Sequence, residues 1–72
     1  MRIQVNGEAR DFAAGVSLEE LVSELYVAGE RVAIELNQKV VRRADWIKTR
    51  LQPDDRVEIV HFVGGGAVPD SR

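Results

Sequence analysis

Cysteine is absent from the 72-residue sequence, and histidine occurs once, at His61. Without thiols the chain cannot form a disulfide, a thiolate metal site or a side-chain persulfide. One histidine without cysteine also leaves a Ser-His-Asp triad or a nitrogen- and sulfur-rich metal cluster without the parts it needs. A chain this short buries only about 60% of the surface that it exposes when unfolded. We therefore expect no deep active site, no catalytic residues and no metal.

An excess of positive charge and a long apolar run are also missing. Ten Lys and Arg residues face twelve Asp and Glu residues, a net charge of −2, so no electrostatic argument favours nucleic acid or an anionic membrane as a partner. No apolar run approaches the ~20 residues of a membrane span, and the N-terminus lacks a signal-peptide pattern. These absences predict a cytoplasmic single-domain protein.

The start of the chain predicts a β-hairpin. Arg2-Ile3-Gln4-Val5 alternates polar and apolar side chains, which is typical of a half-buried strand. Asn6-Gly7 follows, a pair that favours a type I′ turn because both central residues of that turn need positive φ. Residues 8–12 form the returning strand, which is short and polar, so we expect it at an edge of the sheet.

An amphipathic helix is predicted over residues 18–26. Ser17 as N-cap and Glu20 three residues later form a capping box, in which each side chain satisfies a free backbone amide of the other residue. Val16 precedes the cap and is placed for an apolar contact with Leu21. The apolar residues recur at the spacing of one helix face, at Leu18, Leu21, Val22 and Leu25.

Two further strands and a short irregular segment follow the helix. Val32-Ala33-Ile34-Glu35-Leu36 is a strand with three apolar residues on one face. Asn37-Gln38 turns the chain into a second short strand, Lys39-Val40-Val41. Residues 42–51 indicate a helical turn and a loop that cover one end of the core, with Trp46 as a core plug.

The last strand, residues 56–63, carries apolar side chains on both faces. Val57 and Ile59 alternate with Val60 and Phe62, so we expect this strand at the centre of the sheet, where neighbours pair with both edges. When Val57 and Ile59 face the helix, Val60 and Phe62 face away from it. One helix covers one sheet face only, and exposed apolar residues on the other face predict a partner-docking surface.

These elements follow the order β-β-α-β-β-β. We expect an α+β fold of the ubiquitin-like β-grasp type, in which a mixed sheet of four or five strands packs on one main helix. The predicted core consists of Ile3, Val5, Leu18, Leu21, Val22, Leu25, Val32, Ile34, Leu36, Val57 and Ile59.

The last strand passes into Gly64-Gly65-Gly66, after which six residues remain. Glycine has no Cβ, so such an end can be threaded through a narrow channel and can adopt backbone angles closed to other residues. This end suits a domain whose C-terminal carboxylate is modified in another protein's active site. Gly-rich stretches near a terminus are more often linkers or frayed ends, so the preceding residues decide the interpretation.

Three segments carry a resemblance to a known family. They are Ile3-Gln4-Val5-Asn6-Gly7, Val32-Ala33-Ile34-Glu35-Leu36-Asn37 and, most specifically, Val57-Glu58-Ile59-Val60-His61-Phe62-Val63-Gly64-Gly65-Gly66. Over residues 1–66 the chain resembles the ThiS family, the sulfur carriers of thiamine thiazole synthesis. The resemblance implies a protein co-substrate of other enzymes and not an enzyme.

The resemblance also implies a carrier cycle and its partners. An E1-like adenylyltransferase of ThiF type uses ATP to adenylate the carboxylate of Gly66. Sulfur from a cysteine desulfurase persulfide replaces the AMP and leaves a thiocarboxylate, from which a thiazole synthase of ThiG type accepts the sulfur. The expected site residues are Gly65 and Gly66 as the sulfur-carrying terminus, Gly64 for tail flexibility, and Val60, Phe62 and Val63 for partner docking.

The chain departs from the family pattern at its end. Family members end at the glycine pair, whereas residues 67–72 follow Gly66 here, and an internal peptide bond offers no carboxylate to adenylate. We expect a carrier domain of residues 1–66 and a disordered tail of residues 67–72 that a processing protease removes or that is not native. Two alternatives stay open: a MoaD-type carrier for molybdopterin synthesis, and a β-grasp interaction module that never carries sulfur.

Overall fold

The computed structural model describes residues 1–25 and 31–61. These residues form one sheet, one α-helix and one 3-10 helix. The strands are β1 (Arg2–Val5), β2 (Glu8–Asp11), β3 (Val32–Leu36), β4 (Lys39–Val41) and β5 (Arg56–His61); the helix α1 spans Leu18–Leu25, and the 3-10 helix spans Arg43–Lys48. The predicted element order is therefore confirmed.

The sheet is mixed, with the order β2-β1-β5-β3-β4. β1 and β5 run parallel, and the other neighbours run antiparallel. The predictions of a central last strand and of an edge position for the polar returning strand are both confirmed. Since all four residues of β2 are exposed, this strand contributes backbone pairing and little to the core.

Two tight turns connect the antiparallel pairs that flank β5. Asn6 and Gly7 have φ of 50° and 84°, and Asn37 and Gln38 have φ of 51° and 72°. Two successive residues with positive φ are the requirement of a type I′ hairpin turn, whose twist matches that of the strands. The register Val5↔Glu8 and Leu36↔Lys39 places each pair at the tip of its hairpin.

The predicted capping box starts α1. The Ser17 N–H donates to Glu20 Oε1 at 2.9 Å, and the Glu20 N–H donates to Ser17 Oγ at 3.1 Å. The Leu18 N–H donates to the Thr49 carbonyl at 2.9 Å, which ties the helix start to the segment after the 3-10 helix. The predicted helix end at residue 26 lies outside the described residues.

The core fills the space between the sheet and the two helices. The buried apolar residues are Ile3, Val5, Phe12, Val16, Leu18, Leu21, Val32, Ile34, Trp46, Leu51, Val57 and Ile59. Of the predicted core, Val22, Leu25 and Leu36 are only partly buried and pack against this cluster. The predicted core omitted Phe12, which follows an exposed edge strand, Val16, which was expected only to contact Leu21, and Leu51, which stands among charged residues.

Trp46 closes one end of the core, as predicted. Its side chain is buried, and the indole N–H donates to the Val41 carbonyl at 2.9 Å. The Arg43 guanidinium lies 5.2 Å from the centre of the indole ring, within the range of a cation–π contact. The six-residue 3-10 helix therefore covers this end of the core. The indole nitrogen is the only polar atom of the Trp46 side chain, and its hydrogen bond to Val41 allows the side chain to be buried. Within the described parts of the chain, no helix is long and apolar enough to span a bilayer.

Candidate functional site at the end of strand five

β5 presents different residues to its two faces. Val57 and Ile59 are 1% and 6% exposed in the core, whereas Val60 is 50% exposed on the face away from α1. The described part of the chain ends one residue later, at His61. The other predicted site residues, Phe62, Val63, Gly64, Gly65 and Gly66, lie outside the described residues.

The outer face of the sheet has apolar side chains on either side of two carboxylates. Val60 lies opposite Ala33, and Glu58 lies directly opposite Glu35 in the antiparallel β3–β5 ladder. Val40, which is 72% exposed, lies beyond Glu35 on β4. We name Ala33, Glu35, Val40, Glu58 and Val60 the outer patch.

The two carboxylates of the outer patch repel each other. Like charges directly opposite each other on antiparallel strands are destabilising. Neither Glu35 nor Glu58 forms an ion pair with another described residue. A depression lined by both carboxylates, Gln38, Arg56 and Val60 lies at this point of the face. The arrangement suits contact with a partner that brings a positive charge between apolar side chains.

An asparagine side chain holds the start of β5. Asn37 Oδ1 accepts a hydrogen bond from the Arg56 N–H at 3.0 Å, and the Asn37 N–H donates to the Arg56 carbonyl at 2.8 Å. Asn37 Nδ2 also donates to Asp55 Oδ1 at 3.1 Å. The residue thus turns the β3–β4 hairpin and at the same time fixes the first residue of β5.

A second asparagine side chain holds β5 near its end. Asn6 Oδ1 accepts from the Ile59 N–H at 2.7 Å, and Asn6 Nδ2 donates to the Ile59 carbonyl at 3.3 Å. The Asn6 N–H donates to the Val57 carbonyl at 2.9 Å. Sequence reasoning assigned Asn6 to the turn alone. The available signal was its side chain, because Gly at the same position would also have permitted positive φ but could not bond to a neighbouring strand.

Comparison with known proteins identifies the family. The model of the ThiS family matches residues 3–66. This chain belongs to the ThiS family. A crystal structure of a thiamine biosynthesis protein (ThiS) from Geobacter metallireducens superposes with a TM-score of 0.77 at 36% identity, covering 92% of this chain and all of that one. The predicted family and fold are confirmed.

Curated relatives of this ThiS-family chain fall into different size classes. It is 46% identical over 69 residues to a thiazole synthase of Magnetococcus marinus, which covers 96% of the chain and 21% of that protein. It is 30% identical over 66 residues to the sulfur carrier protein ThiS of Escherichia coli K12, covering 92% of the chain and all of that protein. The chain therefore spans about a fifth of the length of the thiazole synthases that it matches.

Away from β5, one carboxyl group among residues 1–25 and 31–61 has a shifted pKa. The pKa of Glu20 is lowered from its ordinary value because the Ser17 backbone N–H donates to its carboxylate, with a smaller effect of the Ser17 hydroxyl. Desolvation raises the pKa of Glu20 and opposes this effect, and Arg50, 3.7 Å from the carboxylate, lowers it further. The shift belongs to the helix cap and not to a catalytic group. Among the described residues, no group of three or more His, Asp or Glu side chains is placed to hold a metal ion.

Proposed function

We propose that this ThiS-family chain is a sulfur carrier protein of thiamine biosynthesis that carries sulfur as a thiocarboxylate on Gly66. The observation that carries this proposal is the family match, which runs from residue 3 to residue 66 and so includes the glycines after β5. The central position of β5 supports it, because a strand paired on both edges gives the following glycines a rigid base. In this role the chain is a co-substrate of cytoplasmic enzymes and has no catalytic residues of its own.

The chemistry of the cycle requires activation of the terminal carboxylate. A carboxylate is a poor electrophile, so an E1-like partner of ThiF type would join the Gly66 carboxylate to the AMP part of ATP and release pyrophosphate. The terminal sulfur of a persulfide, formed by a cysteine desulfurase, then attacks the acyl carbon and AMP leaves. A thiol reduces the remaining S–S bond, and the sulfur stays on Gly66. ATP is thus used by the partner and is not a resident cofactor of this chain.

A thiazole synthase of ThiG type is the proposed acceptor of the sulfur. The support is that proteins named thiazole synthase contain a segment similar to this chain over about a fifth of their length. A carrier-like segment and the named enzyme share one polypeptide there, which would give the segment a high effective concentration at its acceptor. No comparable observation favours the MoaD-type alternative.

The outer patch is the proposed docking surface for these partners, together with Phe62 and Val63. Val60 is half exposed on the outer face of the sheet, and Ala33 lies opposite it on β3. A partner surface with an Arg or Lys between apolar side chains would cover the valine and relieve the repulsion between Glu35 and Glu58. Docking of the folded domain would then supply the specificity that a glycine tail lacks.

We further propose that residues 67–72 are removed before the cycle begins. Adenylation needs a free carboxylate, and cleavage after Gly66 creates one. Glycines without side chains offer a protease an unobstructed backbone.

The proposal is tested with two chains, one that ends at Arg72 and one that ends at Gly66. Each is incubated with the ThiF-type protein of its own cell, ATP and sulfide, and intact masses are read. The chain that ends at Gly66 should gain the oxygen-to-sulfur increment, and the longer chain should remain unchanged until it is cut. A Gly66→Pro variant of the shorter chain is the control, because its ring restricts the reacting terminus.

Two outcomes would count against the proposal. Modification of the full chain without cleavage would remove the processing step. When neither chain is adenylated by any E1-like protein of its cell, the carrier function is lost, and the interaction module takes its place.

A further inference from the structure

The β1–β5 pair is the shortest described pairing of the central strand. Its register contains only Gln4↔Arg56 and Val5↔Val57, whereas β3 accompanies β5 as far as His61. β1 ends because Asn6 adopts positive φ and turns the backbone away into the hairpin. On the β1 side, the backbone groups of β5 beyond Val57 therefore need another partner, since buried or half-buried peptide groups are costly when unpaired.

The Asn6 carboxamide supplies this partner by replacing the carbonyl and the N–H that a longer β1 would offer. The Gln4 and Asn6 N–H groups donate to the carbonyls of Asp55 and Val57 at 3.0 and 2.9 Å, as in a parallel ladder. In a continued ladder, the next two bonds would join Ile59 to the carbonyl of residue 6 and to the N–H of residue 8. Asn6 Oδ1 and Nδ2 make these two bonds to Ile59 instead. The side chain thus extends the pairing by one step beyond the end of the strand.

This extension pairs Ile59 on both sides, with Ile34 of β3 in the antiparallel ladder and with the Asn6 side chain on the β1 side. Gly64, the first of the glycines, follows Ile59 by five positions, and five residues reach at most about 18 Å. A change of roughly 20° in the direction of β5 at Ile59 would therefore move the point at which the glycines begin by up to about 6 Å. A misplacement of only about 1 Å between bound reacting groups can already slow a reaction about a hundredfold.

We propose that Asn6 is a positioning residue for reaction at the C-terminal glycine, because its carboxamide fixes the direction in which β5 leaves the sheet. This inference rests on the proposed sulfur-carrier function. Asn6 touches neither ATP nor the reacting carboxylate in this role, and it acts through the backbone of Ile59. The expected consequence is a slower chemical step with unchanged docking, since the outer patch is not altered.

Asn37 offers a matched control within the same chain. It has the same positive φ as Asn6, stands at the same position of a two-residue hairpin turn, and accepts a hydrogen bond from β5 in the same way. Its contact is to Arg56 at the start of β5, far along the strand from the glycines. Asn6→Gly and Asn37→Gly both permit positive φ and both remove a carboxamide, so they differ mainly in which end of β5 is released.

The experiment measures adenylation kinetics on chains that end at Gly66, a truncation that removes none of the described residues. With the ThiF-type protein and ATP, Asn6→Gly should lower kcat about tenfold or more with KM nearly unchanged, and Asn37→Gly should change kcat less than about twofold. Asn6→Asp keeps the acceptor for the Ile59 N–H and loses the donor to the Ile59 carbonyl. Its kcat should therefore lie between that of the parent and that of Asn6→Gly. Amide exchange should accelerate at Ile59 in Asn6→Gly and at Arg56 in Asn37→Gly.

The outcomes separate this inference from the function on which it rests. A parent chain that is never adenylated removes the carrier function and the inference together. When the parent is adenylated and the two glycine variants have equal kcat, or when Asn6→Gly changes KM alone, Asn6 has no positioning role. Unchanged amide exchange at Ile59 in Asn6→Gly would show that the hydrogen bonds do not hold the strand.

Discussion

Replacement of Leu21 by Ala tests the packing of α1 on the sheet. Leu21 is fully buried, and only it and Leu18 are buried among the eight residues of the helix. The change removes roughly three carbon groups at ~0.8 kcal/mol each, about 2.4 kcal/mol of transfer free energy. The cavity that remains raises the expected loss to about 3 kcal/mol, within the usual range of ~2–5 kcal/mol.

This loss is large for so small a domain. At roughly 0.05–0.15 kcal/mol per residue, the free energy of unfolding of the parent is about 4–11 kcal/mol. Since a small protein loses about 1 kcal/mol per M urea, the midpoint of unfolding should fall by about 3 M. At the lower end of the stability range, the variant would be partly unfolded in buffer alone.

Trp46 provides the assay, because it is the single tryptophan of the chain and is buried. Its fluorescence should report urea unfolding of the parent and of Leu21→Ala. The control is Ile47→Ala, a truncation at a side chain that is 68% exposed, which should change the free energy of unfolding by less than about 0.5 kcal/mol. A Leu21→Ala midpoint equal to that of the control would refute the placement of this helix face in the core.

Three further predictions concern the helix-cap residue Glu20, the repulsion between Glu35 and Glu58, and the proposed docking surface around Val60. The folded-state pKa of Glu20 lies below its ordinary value of 4.5, so its contribution to stability is complete above about pH 4.5 and is lost as the pH falls through the lowered pKa. Glu20→Gln should therefore lose less stability on acidification than Glu19→Gln, and equal losses in urea titrations would contradict this. Glu58→Gln removes the repulsion from Glu35 and should raise the free energy of unfolding by up to about 0.5 kcal/mol at low salt, with a smaller gain at 1 M salt; a gain that is independent of salt would exclude charge repulsion as its cause. Val60→Thr keeps the shape and strand preference of the side chain, so its thermal unfolding should match that of the parent, while its affinity for the proposed ThiF-type or ThiG-type partner should fall. Unchanged affinity for both proposed partners would place docking elsewhere.

Sequence patterns predicted the elements of this fold well where a few neighbouring residues strongly favour one backbone conformation. Asn6-Gly7 has no common alternative to a tight turn, and Ser17 with Glu20 defines a helix start to the residue. The central position of β5 followed from apolar residues on both of its faces, since only a strand paired on both edges is usually so apolar.

The parts that were missed depend on contacts between distant segments. Phe12 and Leu51 are buried although neither belongs to an apolar periodic pattern, because burial there is set by the segments that pack over them. The contact of Asn6 with Ile59 joins residues 53 positions apart, and no local pattern marks it. The opposition of Glu35 and Glu58 depends on strand register, which sequence alone did not provide.

The position of β5 also has a mechanical consequence. A pull on the chain end along β5, such as an enzyme exerts when it draws in a bound tail, acts parallel to the strand. β1 and β3 hold the strand on its two sides, so the hydrogen bonds of both ladders carry the force together in shear. A strand at the edge of the sheet, pulled in the same direction, would be held by the hydrogen bonds of one ladder only. A partner can therefore apply tension to the terminus of this domain while the rest of the domain keeps its shape.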